Sequence, residues 1–393
     1  MGGEVHGAVI TVAEVLFWGS IGIVFYSYAV YPFIVALLVR MFGPRPADAR
    51  DDFMPTVSLV ISLYNEAAVL PEKLKNLEAL RYPLGKLRII FGSDGSTDAT
   101  DSLLAAWSHP AREVVAFPAR RGKGPVLNDL VARAESDVIV FSDANTLYEP
   151  STISRLVRHL ADPAVGAVCG ELVLLPEGGD AGGSGEASYW SYETWLKRNE
   201  SDFRTLLGAT GGVYAIRRSL FEPLPAGKSV TDDFLIPMKI IKRGYRVVYA
   251  RDALAYEKTS GSMQGEFRRK ARIGAQNFAG ITEFRSLLSP KAGFTAFALW
   301  SHKIIRWMVP LFAIVAVAAT ALLAPASLFF RVVAGCEIAF VIMAGTGFAA
   351  DRSHVRLGAA GLPYYILAMN AALFVGLLRY VFGLQRTTWE VLR

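Results

Sequence analysis

The distribution of apolar residues divides this chain into membrane-like and globular parts. Three runs carry no charged side chain: residues 15–39, 307–330 and 357–378. Each run meets the roughly 20 residues that a helix needs to cross a bilayer. A fourth run, at 329–350, is interrupted by Arg331 and Glu337. The pattern predicts one N-terminal and about three C-terminal transmembrane helices.

Between Asp51 and Arg251 charged residues are frequent, and short apolar runs alternate with amphipathic segments. Strands that alternate with helices predict an α/β domain with a mostly parallel sheet. A stretch rich in Gly and Ser, 177–188, predicts a mobile surface loop. The predicted strands are 56–63, 87–91, 114–117 and 137–141, and the predicted helices are 66–79, 98–107, 123–134 and 234–242.

Basic residues indicate the orientation of the soluble part. Arg40, Arg45 and Arg50 follow the first apolar run, so the positive-inside rule places the soluble domain in the cytoplasm. The two cysteines are far apart, which predicts no disulfide and suits a reducing compartment. We therefore expect a multi-pass protein of the cell's inner or plasma membrane. The predicted parts are a transmembrane helix with its linker (1–50), the α/β domain (51–260), an amphipathic interfacial segment (261–306) and a membrane region (307–393).

The formal net charge of +6 has two interpretations. Basic flanks of membrane helices account for it, and so would contacts with acidic lipids or nucleotides. The five histidines show no zinc-ligand spacing. We expect membrane lipids and a small nucleotide as partners, and no nucleic acid.

Acidic residues follow three of the predicted strands, and an adjacent pair comes later. Tyr64-Asn65-Glu66, Asp94 and Asp143-Ala144-Asn145 each follow an apolar run, and Asp232-Asp233 begins a predicted helix. Ligands of parallel α/β sheets bind at the carboxyl ends of the strands. This arrangement predicts a nucleotide site.

Two of these segments have a functional and a structural interpretation. Asp94 could accept a hydrogen bond from a nucleobase, on a loop opened by Gly92 and Gly95, or it could cap a turn before a helix. Lys123, at a predicted helix N-terminus, could hold a diphosphate. The alternative is an ordinary basic loop, since no Ser or Thr follows this lysine as in a Walker motif.

The remaining acidic residues also have two interpretations each. Asp143 and Asn145 point to the same side of an extended chain, which suits Mg²⁺ or Mn²⁺ shared with phosphate oxygens; the alternative is an Asx turn. Asp233 could act as a general base whose pKa is raised by Asp232, or the pair could simply favour a helix N-terminus. The basic run 268–272 could bind phosphate or lipid headgroups, or be a solvated juxtamembrane face.

Taken in order, these segments resemble membrane-embedded family 2 glycosyltransferases, a group with cellulose, chitin, hyaluronan and poly-N-acetylglucosamine synthases and ceramide glucosyltransferases. The resemblance implies a GT-A fold, which is Rossmann-like. It also implies a role for each matching residue. Those roles are donor binding for Tyr64, Asn65, Glu66, Asp94, Lys123, Asp143 and Arg272, metal binding for Asp143 and Asn145, the acceptor side for Gly211, Asp232, Arg269 and Trp389, and catalysis for Asp233.

This sequence departs from the family pattern at three points. Asn145 replaces an Asp, Asp232 replaces a Glu, and the segment around Arg272 lacks the Gln and Trp that accompany long polymers in the family. We therefore expect an inverting, non-processive enzyme that moves a UDP-linked hexose or N-acetylhexosamine to a lipid or lipid-linked acceptor.

The alternative within the family is a processive polysaccharide synthase, which the tail around Trp389 faintly favours. Two other classes are a nucleotidyltransferase and a non-catalytic membrane scaffold. The first lacks its Gly-rich loop after the opening strand, because Tyr64-Asn65-Glu66 stands there. The intact Asp94, Asp143 and Asp233 disfavour the second.

Overall fold

A computed structural model describes residues 2–175, 181–258, 262–353, 355 and 358–385. An eight-stranded sheet forms the centre of the soluble domain, in the order β3-β2-β1-β4-β7-β6-β8-β5. The strands are β1 (Val57–Leu63), β2 (Leu87–Asp94), β3 (Arg112–Phe117), β4 (Val138–Ser142), β5 (Leu147–Tyr148), β6 (Val165–Leu175), β7 (Tyr214–Arg217) and β8 (Arg246–Lys258).

The two halves of the sheet differ in strand direction. Strands β1 to β4 are parallel to one another, as the alternation of strands and helices predicts. Strand β7 is antiparallel to β4 and β6, β8 is parallel to β6, and β5 is antiparallel to β8. The expected α/β architecture is confirmed, with a mixed second half.

Helices pack around the sheet, and further helices form the apolar N-terminal and C-terminal regions. Those of the soluble domain are α3 (Leu70–Glu78), α4 (Thr100–Ala106), α5 (Lys123–Arg133), α6 (Thr152–Val157), α7 (Ala181–Phe203) and α8 (Asp232–Lys242). The others are α1 (Gly2–Phe25), α2 (Tyr31–Phe42), α9 (Met263–Gly280), α10 (Phe294–Ala298), α11 (Ile305–Leu323), α12 (Leu328–Arg352) and α13 (Leu362–Val381).

The buried residues form a separate core on each face of the sheet. Successive side chains of a strand point to opposite faces, so Val60 of β1 joins one core while Leu59 and Ile61 join the other. The Val60 face packs against α5 and extends to Tyr31 and Trp307 of the apolar helices. The soluble domain and the first part of the C-terminal region therefore share one core.

Among the described residues, four helical segments are long and apolar enough to cross a membrane: His6–Phe42, Phe294–Leu323, Leu328–Arg352 and Leu362–Val381. Their number and order confirm the prediction of one N-terminal and about three C-terminal apolar helices. Glu337, which interrupts the third segment, accepts a hydrogen bond of 3.0 Å from Thr320 Oγ1. The carboxylate is therefore paired with a neighbouring helix, as polar groups in such segments generally are.

The predicted mobile loop at 177–188 is wrong from residue 181 onward, because α7 begins there; residues 177–180 lie outside the described part. Tertiary contacts near the other end of α7 outweigh the low helix propensity of its glycines. Glu200 Oε1 accepts from the Tyr31 hydroxyl at 2.6 Å and lies 2.7 Å from His302 Nδ1. Glu193 lies 2.9 Å from His302 Nε2 and accepts from Arg306 at 3.1 Å. We call these five residues the α7 anchor.

Candidate active site

The carboxyl ends of β1 and β2 meet, as the sequence predicts. Asn65 has a positive φ of 52°, and its side-chain oxygen accepts the backbone N–H of Thr97 at 2.8 Å. The guanidinium carbon of Arg120 lies 3.7 Å from the centre of the Tyr64 ring. These contacts hold Tyr64 and Asn65 at the sheet edge, and Glu66 lines the cavity beside them.

Asp94 is fully buried at the end of β2. Its two carboxylate oxygens accept the backbone N–H groups of Arg121 and Gly122 at 2.8 and 2.7 Å. Gly122 has a φ of 96°, a conformation that favours glycine. In this structure Asp94 shapes the loop that leads into α5, and its contact with a nucleobase stays a prediction.

Lys123, the first residue of α5, forms ion pairs with two carboxylates. Its ammonium lies 2.9 Å from Asp143 Oδ1 and 3.1 Å from Asp232 Oδ1. Burial alone would lower the pKa of Lys123, but these two carboxylates raise it above its ordinary value. Burial opposes ionisation of Asp143 too, yet Lys123 holds the pKa of that carboxyl below its ordinary value. Lys123 is thus a fixed cation at the middle of the site.

The two members of the acidic pair have different surroundings. Asp232 contacts Lys123 and also accepts a hydrogen bond from the Tyr214 hydroxyl at 3.1 Å. Within the described part of the chain, no side chain or N–H group donates a hydrogen bond to the Asp233 carboxylate. Burial, and then the charge of Asp232, raise the pKa of Asp233 to about 7. Asp233 is therefore the carboxylate left open to a substrate.

Gly211 keeps this carboxylate uncovered. A Cβ atom at position 211 would lie 3.2 Å from Asp233 Oδ2 and 3.6 Å from Asp143 Oδ2. The acceptor-side position predicted for Gly211 thus adjoins both acids.

One cavity of about 1270 Å³ contains these groups. Pockets for a single drug-sized ligand span roughly 300–1,000 Å³, so this cavity has room for two substrates. The predicted residues that line it are Glu66, Lys123, Asp143, Asn145, Gly211, Asp232, Asp233, Arg269 and Arg272. Trp389 lies outside the described residues.

Three basic residues of α9, Arg269, Lys270 and Arg272, line the cavity. Burial and the charge of Arg269 lower the pKa of Arg272 below its ordinary value. The Arg272 Nε is buried without a hydrogen-bond partner. Arg269 pairs with Glu266 at 2.9 Å. Among the described residues Arg272 forms no ion pair, and the charges of Asp143, Asp233 and Asp232 act on its guanidinium.

The donor set permits a metal ion that is shared with phosphates. Among the described residues, no group of three or more His, Cys, Asp or Glu could hold a metal ion. Asp143 and Asn145 supply oxygen ligands, and Mg²⁺ characteristically binds through one or two protein oxygens plus phosphates and waters. The residues present therefore fit an ion that binds together with a diphosphate.

Sequence analysis missed two polar residues beside the segment that holds Asp143 and Asn145, namely Lys73 and Glu257. The buried Lys73 ammonium donates to Ser142 Oγ at 2.8 Å and to the Thr146 carbonyl, and burial lowers its pKa to about 7. Its signal was a charged residue on the apolar face of a predicted helix. Glu257 of β8 shares a hydrogen bond with Asn145, and burial and Asp143 raise its pKa. Glu257 gave no signal because the sequence pattern did not predict strand β8, in which it lies.

One family model matches much of the α/β part of the chain. Residues 58–224 match the model described as Glycosyl transferase family 2. A probable glycosyltransferase of Bacillus subtilis (strain 168) is 26% identical over 244 residues, 59% of this chain and 57% of that protein. The poly-beta-1,6-N-acetyl-D-glucosamine synthase of Staphylococcus aureus (strain COL) is 25% identical over 236 residues, 58% of this chain and 56% of that protein. The chain spans little more than half the length of these relatives.

A solved structure extends the similarity to the whole chain. A mannosyltransferase from Pyrobaculum calidifontis, in complex with GDP-Man and Mn²⁺, has a TM-score of 0.73 and 24% sequence identity. The match covers 95% of this chain and 99% of that one. The expected GT-A fold is confirmed.

Proposed function

Because the chain carries a glycosyltransferase family 2 domain, we propose that it transfers a sugar from a nucleotide-diphospho sugar to a lipid or lipid-linked acceptor. The donor is UDP-linked, and the reaction takes place at the cytoplasmic face of the cell membrane. The observation that carries this proposal is the contrast within the acidic pair: Asp232 is held by Lys123 and Tyr214, while Asp233 is open to the cavity.

Asp233 is the general base of the proposed reaction. Its carboxylate removes the proton of an acceptor hydroxyl, and the hydroxyl oxygen bonds to the anomeric carbon of the donor. The bond from that carbon to the diphosphate breaks, the nucleoside diphosphate leaves with the bonding electrons, and the configuration inverts. A base works best when its pKa lies near the working pH, and the raised pKa of Asp233, about 7, meets that condition.

Lys123 and Arg272 bind the leaving diphosphate. Lys123 is fixed at the N-terminus of α5, where the helix dipole also favours an anion. Arg272 faces the same cavity from α9. Preorganised cations that meet charge as it develops are among the strongest catalytic contributions.

Asp143 and Asn145 would hold Mg²⁺ or Mn²⁺, and the ion would neutralise charge on the diphosphate. The metal in the mannosyltransferase structure supports a divalent ion.

Four candidate membrane spans and the basic residues after the first of them support a multi-pass protein with its catalytic domain in the cytoplasm. The apolar helices share a core with the catalytic domain, and Lys303 of the span Phe294–Leu323 lines the cavity, which favours a position of the cavity beside the bilayer. A lipid acceptor fits this position. The second candidate is a processive synthase of a β-linked polymer, which the similarity to the poly-beta-1,6-N-acetyl-D-glucosamine synthase favours.

Nucleotide release tests the proposal directly. The full chain, purified in native lipid, is incubated with UDP-, GDP- and dTDP-linked sugars one at a time, and the released nucleoside diphosphate is measured. Release that is fastest with a UDP-sugar supports the proposal. Fastest release with a GDP-sugar would overturn the proposed uridine nucleotide but not the reaction. No release with any donor would overturn both.

A further inference from the structure

Lys197 is a buried cation that lines the same cavity as Asp233. It lies on α7, and its residue is 9% exposed. Its ammonium donates to Thr210 Oγ1 at 3.3 Å and lies 5.1 Å from the centre of the Trp190 ring. Both of these neighbours are uncharged.

The other lysines with assigned ion pairs around the cavity differ from Lys197. Lys123 pairs with Asp143, and Lys228 pairs with Glu283 at 2.9 Å. Lys258 pairs with Glu72 at 3.3 Å, and Lys303 pairs with Glu193 at 3.2 Å. Among the described residues, no carboxylate lies within ion-pair distance of Lys197. A buried ammonium is expensive unless an anion accompanies it. The missing anion points to a ligand.

The position of Lys197 assigns that ligand to the acceptor rather than the donor. Its partner Thr210 directly precedes Gly211, and Gly211 adjoins the open carboxylate of Asp233. The charge of Lys197 acts on Asp233 and lowers its pKa, against the larger effect of burial. The donor cations Lys123 and Arg272 are on other helices, α5 and α9.

Apolar residues and a candidate membrane span both contribute to the cavity that Lys197 lines. Leu172, Leu174 and Trp190 line the same cavity, and the Trp190 indole N–H donates to the Leu172 carbonyl at 2.9 Å. Lys303, within the span Phe294–Leu323, also lines it. A ligand that carries an anion next to a long apolar chain matches this combination of surfaces.

We propose that Lys197 binds a phosphate group of the acceptor, and that the acceptor is a phosphate-linked lipid that carries a sugar. The phosphate contacts the Lys197 ammonium, the sugar hydroxyl reaches Asp233, and the lipid chain follows Leu172, Leu174 and Trp190. This inference rests on the proposed function and specifies its acceptor.

The test compares two acceptors that carry the same sugar: a glycosyl polyprenyl diphosphate and a glycosyl diacylglycerol, each in phosphatidylcholine vesicles. The variants are Lys197→Met, Lys197→Arg and, as a matched control, Lys228→Met, which removes a paired cation from the cavity rim. We measure kcat and KM for each acceptor, and UDP affinity separately by calorimetry. The same assays with anionic phospholipid added to the vesicles show whether a lipid headgroup competes for the site.

We expect Lys197→Met to raise KM for the diphosphate acceptor by roughly 10- to 100-fold, the loss typical of a hydrogen bond to a charged group. Lys197→Arg should lower this KM part of the way back. UDP affinity should not change in any of these variants, and Lys228→Met should keep the KM of the unsubstituted enzyme. Equal losses with both acceptors, or a preference of the unsubstituted enzyme for the neutral lipid, would overturn the inference. Inhibition of the unsubstituted enzyme by anionic phospholipid that Lys197→Met abolishes would assign the site to a headgroup instead and also overturn it. Failure of the proposed function is distinct, because no variant would then release UDP.

Discussion

Gly211 stands directly against Asp233: a Cβ atom at position 211 would lie 3.2 Å from the Asp233 Oδ2. Gly211→Ala should therefore crowd the base and hinder the approach of an acceptor. We expect the kcat of transfer to fall about tenfold or more, as misplacement near reacting atoms does, with UDP affinity unchanged. Gly85→Ala is the control, since its Cβ would meet no atom within 4 Å. Normal transfer by Gly211→Ala would show that the acceptor does not approach along this side.

Asp233→Asn tests the base itself. The amide keeps the size of the side chain but cannot take a proton, so transfer should fall by about 10² to 10⁴-fold. Calorimetry should show nearly unchanged donor binding, because Lys123 contacts Asp143 and Asp232 rather than this residue. Asp101→Asn, on the exposed surface of α4, is the matched control. Near-normal turnover in Asp233→Asn would remove this residue from the mechanism.

The raised pKa of Asp233, about 7, sets the direction of the pH dependence. Below pH 7 the carboxyl group is mainly protonated and cannot accept a proton. The kcat/KM of transfer should therefore rise with pH through an apparent pKa near 7 and level off above it. Initial rates in buffers of constant ionic strength measure this profile. A rate that falls as the pH rises through 7 would contradict a general base of this kind.

Metal dependence follows from the few protein ligands at Asp143 and Asn145. Chelation should abolish transfer, and Mg²⁺ or Mn²⁺ should restore it. With metal present, Asp143→Ala should bind UDP more weakly than the unsubstituted enzyme, and addition of metal should no longer strengthen its binding. Titration calorimetry with and without metal measures both. Full activity in excess chelator would exclude a required ion.

Product length separates single transfer from polymer synthesis. The segment around Arg272 lacks the Trp that would offer a stacking surface to a growing polymer. We expect a lipid-extractable product of one or a few added sugars. Mass spectrometry of the extracted and aqueous fractions determines its length. A ladder of long water-soluble chains would favour the synthase, and Trp389 would then be the first acceptor contact to substitute.

The parallel half of the fold could be predicted because each strand there is a short apolar run. Strands β1 and β4 are buried throughout, and β2 is buried at every position except Arg88. The antiparallel half gave a weaker signal. Strand β6 contains Gly166 and Gly170, whose Cβ atoms would each lie 2.5 Å from Ile240 and Val213 respectively. Glycine is needed there for close packing, and it obscures the strand pattern.

The candidate site could be predicted as a set of strand ends but not as a set of contacts. The sequence indicates that Asp94 ends a strand, but its backbone partners at Arg121 and Gly122 depend on how the α5 loop folds back. Lys197 was invisible as a site residue, because the Gly- and Ser-rich stretch before it suggested a loop. Which charges lack a counter-ion is a property of tertiary structure alone.

Lys73 carries a further prediction of this kind. Its ammonium supports the loop that holds Asp143 by donating to Ser142 and Thr146. Lys73→Met would leave the Thr146 carbonyl without this donor, at a cost of about 1–3 kcal/mol in the free energy of unfolding. The midpoint temperature of thermal unfolding should fall, and UDP affinity in the presence of metal should weaken. Lys75→Met, an exposed lysine of the same helix, is the control.

The α7 anchor has a consequence for how such enzymes can diverge. Glu193 and Glu200 come from the catalytic domain, while His302 and Arg306 come from the span Phe294–Leu323. A recombination event that replaced only the C-terminal helices with those of a relative would leave two acidic side chains buried opposite foreign residues. The membrane region and α7 must therefore be inherited together, and Lys197, three residues before Glu200, would travel with them.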